Sequence, residues 1–340
     1  MITQKSAYRI GIVGATGAVG REILSVIERR NFPESHITLM ASARSAGTMI
    51  PFKGLSLRVR EVTPMGFDGL DFVFFSAGAS RSREFVPAAL EAGAVVIDNS
   101  SAFRMEPDVP LVVPGVNDHA LTNHKGLIAN PNCCAAILVT ALAPLHREAG
   151  ITRIVISTYQ SASGAGAQAM LELEEQTRAV LAGQPPVPKV FPHPIAFNLF
   201  SHNTAVGLDG LNEEERKLIQ ETRKILELPE VPISATCVRV PVMRAHSESV
   251  TIGLQKPLSA ARARDILSTA PGVKVVDDVE KNHFPMPLEA SGDLNIHVGR
   301  IREDNIFGTP GLSLFISGDQ LLRGAAWNAV EIAEKLISRN

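Results

Sequence analysis

The sequence predicts an α/β chain, and three observations carry that reading. Tyr8-Arg9-Ile10-Gly11-Ile12-Val13 is an apolar run of strand length, followed by a glycine turn and a helix-like stretch. Further apolar runs at 36–41, 71–76, 94–98 and 126–129 alternate with helical segments, as in parallel sheets buried on both faces. Beyond the helical run that starts at Cys133 the alternation ends, and longer strands with amphipathic helices predict a second, α+β domain.

Bulk composition bounds the rest. With 340 residues, 45% hydrophobic and 20% charged, the chain is long enough for two domains with real cores. A formal net charge of −2 gives no reason to expect nucleic acid or an anionic membrane as partner. No apolar run reaches bilayer-spanning length. Met1-Ile2-Thr3-Gln4-Lys5-Ser6 does not read as a signal peptide and runs straight into a strand. Three cysteines, at 133, 134 and 237, make no disulfide framework, which fits a reducing cytoplasm.

The first turn reads Gly14-Ala15-Thr16-Gly17-Ala18-Val19-Gly20, with a helix continuing from Glu22 to Arg29. A plain strand-to-helix turn is the simplest account. The position at the start of a β/α series favours a dinucleotide-binding turn, whose glycines let the backbone approach a pyrophosphate at a helix N-terminus. The second strand, His36 to Ala41, ends at Ser42-Ala43-Arg44-Ser45-Ala46-Gly47. An acidic residue there would bind a ribose 2′-hydroxyl. None is present, and Arg44 with Ser42 and Ser45 suits a 2′-phosphate, so NADP is expected rather than NAD. An exposed loop arginine is the alternative.

The third strand, Asp71 to Ser76, ends in a further candidate cofactor contact, Ser76. A helix from Glu84 to Ala92 and a strand from Ala94 to Asp98 follow. Asn99-Ser100-Ser101-Ala102-Phe103-Arg104 is then a polar loop at a strand's C-terminal end, where α/β sheets place ligands. Arg104 is a candidate for an anionic substrate; by itself it would be a surface arginine.

Asn130-Pro131 marks a turn, because the residue before proline avoids the α region. Asn132 is then a good N-cap, and Cys133 takes the first position of a helix running to Leu145. Free N–H groups and the helix dipole stabilise an anion there, so the thiol gains thiolate character. A free cysteine is commonly a small buried hydrophobe. The turn, cap and helix start are what favour a nucleophile at Cys133. Cys134 points about 100° further round the helix and reads as core.

The second domain opens with a strand at Arg153 to Gln160. Ser161-Ala162-Ser163-Gly164-Ala165-Gly166 is a small, glycine-rich turn before a helix from Ala167 to Leu181. Its N–H groups suit a nicotinamide or a phosphate, with Ser163 and Gly164 as candidates. Residues 183–208 show no period and read as an irregular excursion. Leu211 to Leu226 is an amphipathic helix, whose Glu214, Lys217 and Glu221 predict a solvated, salt-bridged face. Strands are expected at 234–242, 295–302 and 312–317, helices at 260–269 and 321–338, and Cys237 in the core. The final helix should pack through Ala325, Ala326, Val330, Ala333 and Ile337.

These residues together resemble the aspartate-β-semialdehyde dehydrogenase family over essentially the whole chain. The resemblance rests on the turn at 14–20, on Asn130-Pro131-Asn132-Cys133, and on Gln160 before Ser163-Gly164-Ala165-Gly166. It rests above all on Arg239 and His246 within Val238-Arg239-Val240-Pro241-Val242-Met243-Arg244-Ala245-His246-Ser247-Glu248. It implies an NADP-linked, phosphate-dependent, reversible reduction of L-aspartyl-4-phosphate to L-aspartate-4-semialdehyde, the branch point toward lysine, threonine and methionine. It implies a homodimer or larger assembly, with the last helix returning to the first domain. The expected domains are then an NADP-binding, Rossmann-like domain of residues 1–132 and 320–340 and a catalytic and dimerisation domain of residues 133–319.

Residue by residue, the resemblance makes Cys133 the nucleophile that expels phosphate and leaves a thioester. His246 becomes the acid/base, a task that suits an imidazole. Gln160 orients the intermediate, Arg239 grips the α-carboxylate, and Glu214 meets the amino group. Arg104 and Lys217 form the phosphate site, and Asn132, beside the nucleophile, is a further phosphate contact. Asp319-Gln320 stands where many relatives have Asp-Asn, which makes Gln320 the candidate nicotinamide contact. Cys134 takes a position usually held by serine or threonine, and a second thiol adds oxidation sensitivity. Arg239 and His246 are seven residues apart, so on one regular strand they would face opposite sides. Pro241 and the small residues at 245 and 247 predict a bend or bulge that brings both to one site.

Two rivals remain at this level. N-acetylglutamyl-phosphate reductase runs the same chemistry on a longer acyl phosphate, but its motif normally reads Asn-Pro-Gly-Cys. A non-catalytic NADP-binding relative would be expected to lose the nucleophile or its base, whereas Cys133, Gln160, Arg239 and His246 are all present. The nine histidines show no close ligand spacing with cysteine or carboxylate, so no metal is expected.

Overall fold

The computed structural model describes residues 4–338, and the reading of Met1 to Thr3 lies outside the described residues. The chain divides into two compact units, residues 1–132 with 325–340 and residues 133–324.

The first unit holds β1 (Tyr8–Val13), α1 (Ala18–Arg29), β2 (Glu34–Ala41), β3 (Met49–Phe52), β4 (Leu55–Arg58), β5 (Arg60–Glu61), β6 (Phe72–Phe75), α2 (Ala79–Glu91), β7 (Val95–Asp98) and β8 (Leu127–Ala129). Six strands form one parallel sheet in the order β5-β2-β1-β6-β7-β8. All four residues of β6 and all four of β7 are buried, as the continuous apolar runs predict. Tyr8, Phe32 and Phe72 meet ring to ring at the base of this core. The chain leaves β1 for β2 on one side and returns to β6 on the other. That reversal is the topological switch point, where an α/β sheet opens a crevice beyond its strand ends. The helix after β1 begins at Ala18, earlier than the expected Glu22, because Gly17 is already extended (φ −75°, ψ 167°) and the turn passes directly into helix.

The second unit holds α3 (Cys133–Ala149), β9 (Ile151–Gln160), α4 (Ala167–Leu181), β10 (Phe200–Ser201), α5 (Glu213–Ile225), β11 (Ile233–Arg239), β12 (His246–Leu254), α6 (Ala260–Ser268), β13 (Val273–Val275), α7 (Pro287–Ala290), β14 (Ile296–Asp304) and β15 (Gly311–Gly318). Its seven-stranded mixed sheet runs β10-β11-β9-β12-β15-β14-β13. The apolar helix α3 lies across β9, β12, β14 and β15. The excursion at 183–208 is held by buried side chains of α4. Gln176 Oε1 accepts the N–H groups of Ile195 and Ala196 at 2.8 and 3.2 Å, and Glu172 accepts those of Val190 and Phe191. An irregular backbone can be buried only when its polar groups find such partners.

Two expectations are corrected here. The face of α5 carrying Glu214 and Glu221 is not solvated: the two are 7% and 1% exposed. They share the inward face with Leu218 and Ile225, at helical spacing, so the apolar residues carry them inside. The last helix, α8 (Trp327–Ser338), is preceded by a π-helical turn over Leu322–Ala326. The wider turn shifts the register of the helix beyond it. Ile337 is therefore half-buried, and Ala329, Ile332 and Leu336 join Ala326, Val330 and Ala333 on the packing face. α8 belongs to the first unit, where the Arg30 guanidinium stacks 4.1 Å from the Trp327 ring and pairs with Glu334.

Candidate active site

Three strand ends build the site in the second unit. β9 and β11 are parallel neighbours and finish together, Gln160 opposite Arg239. β12 is antiparallel to β9 on its other side, so its first residue, His246, starts at the same edge. Arg239 and His246 therefore stand on different strands with β9 between them. Their odd spacing reflects the 240–245 connection rather than a bulge within one strand, and Ala245 makes the turn with φ +70°. Gly164 confirms how close the two come. A methyl group at its α-carbon would lie 3.0 Å from Nε2 of His246 and 3.1 Å from Nη1 of Arg239.

His246 is fully buried. Its Nδ1 accepts the Ser161 N–H at 3.1 Å and meets the Ser161 hydroxyl at 3.0 Å. An N–H donor at Nδ1 puts the proton of the neutral ring on Nε2, which has no hydrogen-bond partner among the described residues. Ser161 Oγ lies 3.1 Å from Ser163 Oγ, which accepts from Gln320 Nε2. Gln320 Oε1 in turn accepts the Ala245 N–H at 2.9 Å. Ser163, Gly164 and Gln320 are thus brought together around His246.

Helix α3 begins at Cys133, and the sulfurs of Cys133 and Cys134 and a ring nitrogen of His246 all lie within 4.8 Å of one another. Hydrogen bonding from the Cys134 thiol holds Cys133 well below the ordinary thiol range, against the opposing effect of burial, and the His246 imidazole adds to the fall. Burial and the Cys133 charge push Cys134 the other way, so it remains a thiol and a donor. Cys134 is core, as expected, yet it also faces the nucleophile; Cys237 is core too, with burial pushing its thiol up to about 12. The sequence spacing showed no close ligand grouping, and the tertiary fold brings Cys133, Cys134 and His246 together as a group of metal-ligating types.

Around these groups stand the other polar residues. Gln160 Nε2 donates to Thr158 Oγ1 at 3.2 Å and to Glu214 Oε1 at 3.3 Å. Lys217 Nζ lies 3.9 Å from Glu214. Arg239 donates from Nη1 to the Ser161 carbonyl at 3.3 Å and lies 5.7 Å from the Phe191 ring. His202, buried beside it, is pushed down to about 4, first by burial and then by the Arg239 charge.

In the first unit the ends of β1, β2 and β6 enclose a cavity of about 320 Å³. Gly14, Thr16, Gly17, Ser42, Arg44, Ser45 and Ser76 line it, together with Arg81. Ala18 and Val19 lie in the first turn of α1, which has no acidic residue and no side-chain cap, leaving its N–H groups for an anion. Gly14 has φ +86°, and a Cβ there would lie 2.6 Å from the Ser76 carbonyl oxygen, so only glycine lets β1 and β6 pack at this point. Arg104 is buried rather than at the surface, donating from Nε to the Asn130 carbonyl at 2.9 Å and from Nη2 to the Asn99 carbonyl at 2.8 Å. Asn132, also buried, is the last residue of this unit before Cys133.

Comparison with known proteins agrees with this geometry. Residues 9–124 match the family model "Semialdehyde dehydrogenase, NAD binding domain", and residues 142–323 match "Semialdehyde dehydrogenase, dimerisation domain". The aspartate-semialdehyde dehydrogenase of a Synechocystis strain is 50% identical over 334 residues, covering 98% of both chains. The chain belongs to the aspartate-semialdehyde dehydrogenase family. A crystal structure of aspartate semialdehyde dehydrogenase II from Vibrio cholerae, complexed with ASA, matches with a TM-score of 0.94 at 38% identity, over 98% of this chain and 99% of that one. The Candida albicans aspartate semialdehyde dehydrogenase, solved with NADP, matches with a TM-score of 0.76 at 25% identity, over 97% and 98%. The first unit is therefore a nicotinamide-dinucleotide-binding domain of the aspartate-semialdehyde dehydrogenase type, and the second carries that family's dimerisation domain. No helix among the described residues is long and apolar enough to cross a membrane.

Sequence reasoning did not single out Ser161, His202 and the buried Glu248 in the second unit, or Arg81 in the wall of the first unit's cavity. Ser161 sits between two named candidates, Gln160 and Ser163, and that position was its only signal. Arg81 and His202 come from a helix face and an irregular stretch and gave none. Glu248 follows His246 by two on one strand, hence on the same face, and that spacing was the available clue.

Proposed function

We propose that the chain is an NADP-linked, phosphate-dependent aspartate-semialdehyde dehydrogenase that interconverts L-aspartyl-4-phosphate and L-aspartate-4-semialdehyde through a thioester on Cys133. The observation that carries the reading is the grouping of an acidified thiol, an imidazole and a guanidinium at one sheet edge, with Gly164 in contact distance of the last two. In the biosynthetic direction the Cys133 thiolate attacks the acyl carbon, the bond from that carbon to the phosphate oxygen breaks, and inorganic phosphate leaves. The N–H groups of the first turn of α3 offer stabilisation to the oxyanion. His246 moves the proton at the thiohemiacetal oxygen through Nε2, since Ser161 occupies Nδ1.

Arg239 receives the α-carboxylate in a planar, bidentate grip that lysine would not reproduce. Glu214 takes the amino group, Gln160 orients the acyl group, and Arg104, Lys217 and Asn132 take the phosphate. A bound nicotinamide would supply or accept the hydride for this reaction. The cavity in the first unit fits its adenosine end. There Gly14, Thr16, Gly17, Ala18 and Val19 would hold pyrophosphate and Ser42, Arg44 and Ser45 a 2′-phosphate, with Ser76 at the strand end beside them. Ser163, Gly164 and Gln320 serve the nicotinamide side. Arg44 in the cavity wall, with no carboxylate among its lining residues, supports NADP over NAD. The proposed catalytic domain is residues 133–319 and the proposed NADP-binding domain residues 1–132 with 320–340, whereas the compact units divide at 324/325. The dimerisation-domain match supports a homodimer, and free cysteines suit the cytoplasm.

The test is NADPH formation by the purified protein with L-aspartate-4-semialdehyde. The expected result is turnover that requires phosphate and falls at least about a thousandfold in Cys133→Ser. Turnover without phosphate, or preference for N-acetylglutamyl phosphate in the reverse assay, contradicts the assignment.

A further inference from the structure

We propose that Cys133, Cys134 and His246 form a binding site for a thiophilic d10 cation, Zn²⁺, whose arrival silences the nucleophile. The proposal goes beyond the dehydrogenase reading and stands on the cluster's own geometry. The two sulfurs and the ring nitrogen lie within 4.8 Å of one another. Zn–S bonds of about 2.3 Å and Zn–N bonds of about 2.0 Å need donors a little under 4 Å apart in a tetrahedron, so side-chain movements of about 1 Å close the set. Two thiolates with one imidazole are a soft donor set, which selects zinc against magnesium or calcium.

A second observation points the same way. Nε2 of His246 is fully buried and has no hydrogen-bond partner among the described residues, whereas Nδ1 is held by Ser161. With Nδ1 taken by Ser161, Nε2 is the nitrogen left for the cluster. For Nε2 to ligate, its proton moves to Nδ1, which gives up the Ser161 N–H it accepts and donates instead to the Ser161 hydroxyl. On ligation the Cys133 and Cys134 sulfurs bind as thiolates and their protons leave to solvent. Two thiolate charges then neutralise the dication. Three protein ligands leave a fourth position for water on the half-buried Cys133 side, the coordination of an open zinc site. With its lone pair bound to the metal, the Cys133 sulfur cannot attack an acyl carbon. Cys134 is the residue that turns an ordinary Cys-His pair into a chelate.

The experiment uses the full-length protein after EDTA treatment, with Co²⁺ as the probe and no substrate present. Wild type should bind one equivalent of Co²⁺ with sulfur-to-cobalt charge-transfer absorption, displaced by Zn²⁺. Cys134→Ser, which keeps a hydroxyl donor beside Cys133, should lose about half of that absorption, and its unchanged thermal melt would exclude misfolding. In the dehydrogenase assay Zn²⁺ should inhibit wild type reversibly with chelator, and Cys134→Ser should need at least about tenfold more. Absence of the charge-transfer band, or equal Zn²⁺ sensitivity of wild type and Cys134→Ser, overturns the proposal. The cobalt spectrum needs no turnover, so its outcome is read separately from that of the enzyme assignment.

Discussion

The Ser161 backbone N–H donates to Nδ1 of His246 at 3.1 Å while its hydroxyl meets the same nitrogen at 3.0 Å. Both residues are fully buried, so the imidazole is held by the residue that immediately follows Gln160 at the end of β9. Behind it, Ser163 and Gln320 continue the chain of polar contacts. A ring fixed in this way has Nδ1 engaged and leaves Nε2 for the proton transfer proposed above.

Ser161→Ala therefore keeps the backbone donor and removes one of the two supports. A hydrogen bond of this kind contributes about 0.5–1.5 kcal/mol, so kcat should fall roughly 3- to 10-fold. KM for the semialdehyde should change little, because Ser161 meets the base through its side chain rather than the substrate. Steady-state kinetics on the two proteins decide it.

The acidity of Cys133 gives a pH prediction. Its folded pKa is depressed, so the reactive thiolate persists well below the ordinary thiol range and is lost as pH falls through the lowered value. The rate of alkylation by iodoacetamide should already be near its plateau at neutral pH. Cys134→Ala removes the largest cause of the depression and should move the midpoint up toward the usual value of about 8.5, whereas Cys134→Ser should move it less.

Gly164→Ala places a methyl 3.0 Å from the His246 ring and 3.1 Å from the Arg239 guanidinium. Both must shift by a few tenths of an ångström. Misplacement on that scale should lower kcat/KM by about 10- to 100-fold without loss of the folded state. Kinetics paired with circular dichroism would show whether activity and fold separate in this way.

Glu248 supplies a stability test. Its carboxyl is fully buried, neither oxygen has a hydrogen-bond partner among the described residues, and burial followed by the Cys133 charge pushes its pKa well above the usual range. The unfolded chain releases this proton at lower pH than the folded one. Wild type therefore loses stability as pH rises from the ordinary carboxyl range toward the raised value. Glu248→Gln abolishes that loss. The melting temperature of the variant relative to wild type should climb between about pH 4 and pH 8; a constant difference would remove the argument.

What could be read from the sequence was what is local. The turn after β1 and the Arg44 loop lie beside the strand ends that carry them, so parallel order alone brings them to one cavity. The bounds of α4 were legible because a glycine at 166 (φ +93°) ends the preceding turn and Leu181 ends the apolar pattern. Three features were not legible. Arg239 and His246 meet through a strand inserted between theirs, which spacing cannot reveal. Glu214 and Glu221 looked solvated because a charged helix face normally is, whereas Leu218 and Ile225 on the same face carry them inside. The approach of Cys134 to His246 depends on how α3 crosses the sheet, a tertiary fact with no signature in the chain around it.

The central claim is that one sulfur, at the first residue of α3, carries the acyl group. Mixing Cys134→Ser enzyme with L-aspartyl-4-phosphate in the absence of NADPH, quenching in acid and mapping peptides by mass spectrometry tests it directly. An aspartyl thioester on Cys133, formed with release of one equivalent of phosphate and absent after Cys133→Ser substitution, is the predicted result. An adduct on any other residue, or phosphate release at an unchanged rate without the Cys133 thiol, would contradict it.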